Sequence, residues 1–206
     1  MAGMRMLITG GSGYLGRWVA ELAREDWDVT TSYGHKRGDL DGVAWRQLDV
    51  RDADAVTALV TADQPAVIVH TAAVNPGLGT DFEGVNVTGT ANVAKAAAGV
   101  GARLVHISTD VVFDGRRGNY REEDPIRPLN EYGRSKGAAE QAVVDSGAQA
   151  VIVRTSLIYG WRPTVARAAQ WMIDALDRRE IVRLWSDEMR CPIWVESLAN
   201  ALVELA

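Results

Sequence analysis

The stretch Gly10-Gly11-Ser12-Gly13-Tyr14-Leu15-Gly16 lies between a short apolar run, Arg5–Thr9, and a segment with helical apolar spacing, Tyr14–Arg24. Glycines at this junction let backbone amides approach a pyrophosphate, and the N-terminus of the following helix attracts negative charge. An isolated glycine turn would be an ordinary loop, but the flanking strand and helix favour a dinucleotide site. The predicted contacts of this turn with a cofactor are Gly10, Gly13, Tyr14, Leu15 and Gly16.

The rest of the chain continues this alternation of short apolar runs and helix-length segments. Further strands are predicted at Asp28–Ser32, Val43–Gln47, Ala66–Thr71, Arg103–Thr109 and Ala150–Thr155. Further helices are predicted at Asp52–Ala62, Asn86–Gly99 and Tyr132–Ser146. Nearly continuous apolar runs suit strands that are covered on both faces, as in a parallel sheet. The pattern therefore predicts an α/β fold with a doubly wound parallel sheet of the Rossmann type.

After Thr155 the pattern becomes less regular. It predicts a helix over Thr164–Arg178, a short strand over Ile181–Trp185 and a helical stripe over Val195–Ala206. We therefore expect a dinucleotide-binding domain in residues 1–155 and a small, incomplete substrate-binding appendage in residues 156–206. The chain stops without a glycine cap or polar tail, which fits either a shortened sequence or a natural protein without a terminal lobe.

Composition narrows the function classes. The net charge of −5 over 206 residues, without a long basic run, argues against nucleic acid as a partner. A single cysteine, Cys191, allows no intramolecular disulfide or multi-thiolate metal site, and no apolar segment is long enough to span a membrane. We expect a cytoplasmic protein without a metal site. His70 and His106 belong to no metal-binding motif and are expected to be hydrogen-bonded core residues.

The residues that end the second predicted strand indicate which dinucleotide is bound. An acidic residue there holds the ribose hydroxyls of NAD, whereas a basic residue accommodates the phosphate of NADP. The sequence instead has Ser32, which can donate a hydrogen bond, and then Lys36 and Arg37. NADP(H) is therefore preferred and NAD(H) possible, although the two cations could simply be solvated loop residues.

A second candidate cofactor contact follows the third predicted strand. There, Asp49 and Val50 could line the adenine pocket. Capping of the next helix or solvation of the loop would explain Asp49 almost equally well.

Tyr132 and Lys136 stand four residues apart on a predicted helix and so share one face. A neighbouring positive charge favours the ionised phenol and would lower its pKa towards neutrality. This spacing is common by chance, so its weight comes from the glycine turn in the same chain. The two motifs together favour a nicotinamide-dependent oxidoreductase.

The run Ile107-Ser108-Thr109-Asp110-Val111-Val112-Phe113-Asp114-Gly115, together with the tract from Tyr120 through Glu140, resembles the extended short-chain dehydrogenases/reductases. Within them it resembles the dTDP-4-dehydrorhamnose reductase family. Arg154–Gly160 and Arg190-Cys191-Pro192 extend the similarity almost to the last residue. Two departures are Ile193, where the family usually has threonine, and the additional C-terminal length of the related enzymes.

The resemblance implies a catalytic trio of Thr109, Tyr132 and Lys136, the latter two also contacting the cofactor. It further implies cofactor contacts by Ala72, Ala73 and Asn86, and substrate contacts by Asp110, Phe113 and Arg190. Asp110 could equally brace its own loop.

The reaction implied is NADPH-dependent reduction of the keto group of a nucleotide-linked 4-keto-6-deoxy sugar, by a possible homodimer. A sugar-nucleotide epimerase or dehydratase and a noncatalytic NADP-binding regulatory subunit are the alternatives. Related dehydratases have a glutamate where this chain has Val111, which favours reduction over elimination.

Overall fold

A computed structural model describes residues 3–162 and 166–206, apart from the side chains of residues 167 and 168. Its main sheet has six parallel strands in the order β3-β2-β1-β4-β5-β6, which is the strand order of a doubly wound dinucleotide-binding fold. The strands are β1 (Arg5–Thr9), β2 (Asp28–Tyr33), β3 (Ala44–Gln47), β4 (Val67–His70), β5 (Arg103–Thr109) and β6 (Ala150–Thr155). A separate parallel pair consists of β7 (Ile158–Tyr159) and β8 (Ile193–Trp194). The predicted fold class is confirmed.

Helices connect the strands and cover both faces of the sheet. They are α1 (Tyr14–Ala23), α2 (Ala53–Asp63), α3 (Gly89–Val100), α4 (Glu131–Asp145), α5 (Arg167–Asp177) and α6 (Val195–Leu205). A π-helical segment, Phe82–Thr88, leads into α3, and a 3₁₀ turn, Asp110–Val112, follows β5. Asp52 caps α2 by accepting hydrogen bonds from two backbone amides, so Asp49 is not the cap of this helix.

Alternating side chains along the strands form two hydrophobic cores, because neighbouring residues of a strand point to opposite faces. Met6 and Ile8 of β1 belong to the core that includes α1 and α6, whereas Leu7 belongs to the core that includes α2 and α3. Leu202 of α6 is completely buried against the first of these cores. The division of the chain near residue 155 stays a prediction, but α6 packs with the dinucleotide-binding part.

The C-terminal quarter departs from the sequence-based expectations. Ile181–Trp185 was predicted as a strand, but the structure has no regular element there, and the side chains of Ile181 and Trp185 are exposed. An apolar run becomes a strand only when another strand offers backbone partners, and none pairs with this one within the described residues. The predicted start at Thr164 lies outside the described residues, and α5 is observed from Arg167.

Two further observations concern the surface of the fold. Cys191 is exposed. None of the helices in the described part of the chain combines the length and apolar character that crossing a membrane requires.

Candidate active site

The glycine turn can close this tightly only because its glycines carry no side chain. Gly10 has a φ of +76°, and a Cβ there would lie 2.7 Å from the backbone of Ala72. A Cβ on Gly16 would lie 2.4 Å from the carbonyl oxygen of Gly10. Gly13 precedes α1 and is exposed, and its amide donates to the Gly10 carbonyl at 2.9 Å, so the turn is tightly closed and faces solvent at the N-terminus of α1. The geometry fits a pyrophosphate held at the N-terminus of α1.

Other predicted contacts of the turn have structural roles of their own. Leu15 packs in the core beneath α1. Tyr14 is half-buried. Its hydroxyl packs against Gly160, where an added Cβ would lie only 2.5 Å from the hydroxyl oxygen. Burial raises the pKa of Tyr14.

Ser32 supports the glycine turn from the end of β2. Its side chain is buried, its hydroxyl accepts a hydrogen bond from the Gly10 amide at 3.3 Å, and its carbonyl accepts one from Gly11 at 2.8 Å. Lys36 and Arg37 lie beyond it on an exposed loop. The two cations are therefore available to an anionic ligand, whereas Ser32 acts on the shape of the turn. A direct contact between Ser32 and a cofactor stays a prediction.

The predicted adenine side contains an ion cluster that the sequence did not indicate. Arg51 donates to both carboxylate oxygens of Asp49, at 3.0 and 2.6 Å, and to Asp81 at 2.8 Å. These hydrogen bonds hold the pKa of Asp49 below its usual value. Val50 is buried among core residues, and its carbonyl accepts a hydrogen bond from Asn92. The cluster joins the loop after β3 to the π-helical segment, because Asp81 caps that segment.

Asn86 braces the segment that follows β4, where Ala72 and Ala73 are half-buried. Its side chain is completely buried, accepts a hydrogen bond from the Val74 amide at 2.8 Å and donates one to the Val74 carbonyl at 3.0 Å. It also donates to the Ser135 hydroxyl of α4 at 3.0 Å. Asn86 thus fixes the wall of the predicted cofactor site to the helix that carries Tyr132.

Thr109, Tyr132 and Lys136 converge at the carboxyl edge of the sheet. Thr109 ends β5, and its side chain lies near the Tyr132 hydroxyl, whose pKa it lowers. Lys136 is 2% exposed and donates to the carbonyl of Ile107 at 2.6 Å. Asn130 caps α4 by accepting from the Gly133 amide at 2.7 Å, which fixes the first turn of the helix. Two hydroxyls and one ammonium therefore lie within a single neighbourhood of the fold.

The electrostatics of this trio differ from the simple expectation. Burial raises the pKa of Tyr132, outweighing the lowering by the nearby Thr109 side chain, and Asp110 raises it further. The expected lowering by Lys136 is not observed, because the Lys136 ammonium is directed to the Ile107 carbonyl. Burial lowers the pKa of Lys136 to about 8, while Glu140 acts in the opposite direction. Tyr132 is therefore protonated at neutral pH and able to donate a proton.

The predicted substrate residues are partly engaged with one another. Arg190 donates to both oxygens of Asp110, at 3.1 and 3.0 Å, and to Glu188 at 3.0 Å. Asp110 in turn accepts from Thr109 at 3.3 Å. This pair links the segment before β8 to the trio. It is consistent with Asp110 bracing its loop, and a substrate contact would require rearrangement of the pair.

Phe113 lies between two planar groups. Its ring stacks on Tyr120, with centroids 4.3 Å apart, and the guanidinium of Arg154 lies 5.0 Å from its centroid. Arg117 lies 5.4 Å from the ring of Tyr120. These stacked side chains fix the loop after β5. A substrate could therefore contact the edge of the Phe113 ring rather than one of its faces.

Two buried histidines lie near the trio. His70 is hydrogen-bonded to Thr9 at 2.6 Å and to Thr90 at 3.0 Å, as expected of a core histidine. His106 stacks on His70, with centroids 5.4 Å apart, but neither of its ring nitrogens has a hydrogen-bond partner among the described residues. The expectation of a hydrogen-bonded core histidine is therefore wrong for His106. In the described part of the chain, no group of three acidic, histidine or cysteine residues is arranged to hold a metal.

Ser108, Glu140 and Arg154 form a largely buried cluster that no sequence motif indicated. Glu140 accepts from Ser108 at 2.5 Å and from Arg154 at 2.7 Å. A glutamate four residues after a buried lysine, on the same helix face, was the available signal.

Comparison with known proteins agrees with this fold. A family model described as the RmlD substrate binding domain matches residues 4–206. The beta subunit of methionine adenosyltransferase 2 from Xenopus tropicalis is 34% identical over 213 residues, which cover 98% of this chain and 62% of that protein. The chain thus spans less than two thirds of this relative's length.

Reductases resemble the chain to a similar degree. The dTDP-4-dehydrorhamnose reductase of Aggregatibacter actinomycetemcomitans is 30% identical over 208 residues, covering 98% of this chain and 67% of that enzyme. The chain is 32% identical in sequence to dTDP-4-dehydrorhamnose reductase from Bacillus anthracis, whose crystal structure is a complex with NADP. The two structures superimpose with a TM-score of 0.82, and the match covers 100% of this chain and 71% of the reductase.

Proposed function

Because the chain belongs to the RmlD substrate binding domain family, we propose that it is an NADPH-dependent reductase of a nucleotide-linked 4-keto-6-deoxy sugar. The observation that supports this most strongly is the convergence of Thr109, Tyr132 and Lys136 at the sheet edge onto which the glycine turn also opens. In a doubly wound sheet, ligands bind at the carboxyl ends of the strands, so the two sites can serve one reaction.

NADPH would be held by the amides of the glycine turn, by the walls formed by Ala72 and Ala73, and by Lys136 at the nicotinamide ribose. Bound there, it supplies the hydride for reduction of the ketone. The exposed cations Lys36 and Arg37, with no acidic residue at the end of β2, support a preference for NADP(H) over NAD(H). Tighter binding of NADH than of NADPH would contradict this preference.

Tyr132 acts as the general acid in this proposal. Hydride addition turns a carbonyl oxygen into an alkoxide, which must receive a proton. The Tyr132 hydroxyl has a raised pKa and is protonated at neutral pH, so it can donate that proton. The Thr109 hydroxyl, which lies near Tyr132, stabilises the same developing negative charge. Lys136 contributes its ammonium charge and a fixed position.

The direct test is incubation of the protein with NADPH and dTDP-4-dehydrorhamnose while the absorbance of the reduced nicotinamide is followed. We expect stoichiometric oxidation by the wild-type chain. We expect Tyr132→Phe to reduce turnover by about a hundredfold or more while NADPH binding persists, because only the proton donor is removed. Phe82→Leu, which alters the aromatic neighbour of Tyr132 without removing the hydroxyl, is the matched control. Unchanged turnover in Tyr132→Phe would reject the role of this residue.

A noncatalytic NADP-binding regulatory subunit is the second candidate, because one relative is the beta subunit of methionine adenosyltransferase 2. Retention of the trio favours the reductase. Tight NADPH binding without oxidation in the presence of the sugar nucleotide would favour the regulatory role instead. An epimerase or dehydratase is distinguished by product analysis, since such enzymes regenerate their bound cofactor.

The setting of the protein is also a proposal. We propose a cytoplasmic location, because a chain with a single cysteine forms no intramolecular disulfide and does not require an oxidising compartment. A homodimer is proposed on the family resemblance alone, and sedimentation or light scattering of the purified chain would test it.

A further inference from the structure

A buried carboxylate lies directly behind the candidate active site. The side chain of Glu140 is 4% exposed and belongs to α4, one helical turn after Lys136. It accepts hydrogen bonds from the Ser108 hydroxyl at 2.5 Å and from Nε and Nη2 of Arg154 at 3.0 and 2.7 Å. Burying a charge costs free energy unless it is paired and hydrogen-bonded, and these donors meet that requirement.

The partners of Glu140 come from the two strands beside the trio. Ser108 and Arg154 are register partners in β5 and β6, so they stand side by side on one face of the sheet. Ser108 immediately precedes Thr109. One carboxylate therefore joins the helix that carries Tyr132 and Lys136 to the strand that carries Thr109. Any displacement of α4 along β5 would break these hydrogen bonds.

Arg154 extends the same connection to the loop after β5. Its guanidinium donates to the carbonyl of Glu122 at 3.0 Å and lies over the ring of Phe113. The Glu140–Arg154 pair thus fixes a loop on the predicted substrate side as well as the helix on the cofactor side. Pairing with Glu140 raises the pKa of Arg154.

The charges that face Lys136 come from several elements. On α4 itself, Glu140 is the anionic neighbour and raises the pKa of Lys136 against the lowering by burial. His70 of β4 and His106 of β5 are buried, and burial, together with the positive charge of Lys136, keeps their pKa values low. Both are therefore neutral at the pH where Lys136 titrates. Arg154 of β6 partly compensates the charge of Glu140.

We infer that Glu140 is a positioning residue for the candidate active site, which fixes α4 against β5 and β6 and places a buried negative charge one helical turn from Lys136. The inference deepens the proposed function and rests on it for the role of Lys136 at the cofactor. Among the described residues, Glu140 makes no hydrogen bond to Tyr132 or Thr109, so it acts through Ser108 and Arg154.

The titration of Lys136 can be measured directly, because the chain has only three lysines, Lys36, Lys95 and Lys136. The first two are exposed and serve as internal references. We propose a pH titration of the ¹³Cε signals of the lysines in the cofactor-free chain. Glu140→Gln should lower the titration midpoint of Lys136 by roughly half a pH unit to one unit. Arg154→Gln should raise it by a similar amount, because the charge of Glu140 then lacks its compensating cation.

Opposite shifts distinguish this role from general destabilisation, which would not give the two variants opposite signs. Glu131→Gln makes the same substitution at an exposed position of α4 and should leave the midpoint unchanged. Midpoints that do not move, or that move in the same direction in Glu140→Gln and Arg154→Gln, would overturn the inference. If Glu140→Gln does not fold, Arg154→Gln decides alone: an upward shift supports the inference, and any other result overturns it.

Binding of NADPH is measured separately on the same samples. A wild-type chain that fails to bind NADPH would contradict the proposed function, while the opposite shifts of Lys136 would still support the electrostatic role of Glu140. If the wild type binds NADPH but the Lys136 midpoint does not shift in opposite directions in the two variants, only the inference about Glu140 is overturned.

Discussion

His70 and His106 illustrate how single residues near the candidate site respond to their surroundings. Both lie on the sheet face that Lys136 approaches, and they stack on each other. Burial, followed by the charge of Lys136, lowers the pKa of His70 to about 3. The pKa of His106 is lowered for the same reasons. Two imidazoles are therefore kept neutral behind the trio, where protonation of either would place a further cation beside a buried ammonium.

The titration of His70 predicts an acid-sensitive fold. The unfolded chain binds a proton at this imidazole near pH 6.5, whereas the folded chain does not until about pH 3. Stability is therefore complete above pH 6.5 and falls as the pH decreases towards 3. At pH 4.5 the loss from this group is roughly 2 to 3 kcal/mol. Chemical denaturation at several pH values would measure it.

The matched variant for this prediction is His70→Gln, which keeps hydrogen-bonding capacity without a titrating ring. We expect its free energy of unfolding to decrease less steeply than that of the wild type between pH 6.5 and 4.5. His35→Gln, at an exposed loop position, should retain the wild-type slope. Equal slopes in His70→Gln and the wild type would show that His70 does not contribute.

Contacts between residues that lie far apart in the sequence could not be predicted from it. Tyr132 and Lys136 could be paired because they stand four residues apart on a predicted helix, whereas Thr109 came from the family resemblance. The pairing of Asp110 with Arg190 joins positions 80 residues apart, and no local pattern indicates it. The same holds for the orientation of Lys136 towards the Ile107 carbonyl, which depends on where β5 lies beneath α4.

At the scale of elements, the strands were predicted well where burial on both faces dictates a continuous apolar run. The predicted bounds of β1, β5 and β6 agree with the structure. The helix predicted at Asn86–Gly99 instead begins as a π-helical segment at Phe82, because Asp81 caps it by accepting from the Gly84 amide. Ile181–Trp185 has strand-like composition but lacks a pairing strand among the described residues. Residue composition gives a segment a preference for the strand conformation, but a strand forms only where a neighbouring strand supplies hydrogen-bond partners.

The junction of β1 and α1 gives an element-scale prediction. In Gly16→Ala, the new Cβ would lie 2.4 Å from the Gly10 carbonyl and 2.6 Å from the Thr71 hydroxyl, so the turn must open. We expect NADPH binding to weaken at least about tenfold and the protein to lose roughly 1 to 3 kcal/mol of stability. Fluorescence titration and thermal unfolding measure the two effects.

Gly99→Ala is the control for this prediction, because it makes the same change within α3 where a Cβ meets no atom within 4 Å. Alanine is the better helix former, so stability should stay constant or rise by up to about 1 kcal/mol. NADPH binding should be unchanged in this variant. Wild-type binding by Gly16→Ala would mean that the turn does not approach the cofactor.

At the scale of the whole molecule, α6 connects the end of the chain to its beginning. Leu198 and Leu202 pack in the same core as Leu15 and Val19 of α1, and Arg103 of β5 donates to the carbonyl of Leu205 at 2.8 Å. The segment before α6 carries Arg190, which reaches Asp110 beside the trio. The last helix therefore stabilises the dinucleotide-binding part and also holds the segment that contacts the candidate site.

This arrangement predicts that the chain unfolds as one cooperative unit, despite the division expected near residue 155. Leu202→Ala removes a completely buried side chain and should cost about 2 to 5 kcal/mol. Because α6 shares its core with α1, the loss should shift the entire transition, and tryptophan fluorescence and far-UV circular dichroism should report the same midpoint. Leu176→Ala, at a position 66% exposed on α5, should change the midpoint little. Two separated transitions, with only one moved by Leu202→Ala, would mean that α6 belongs to an independently folding C-terminal unit.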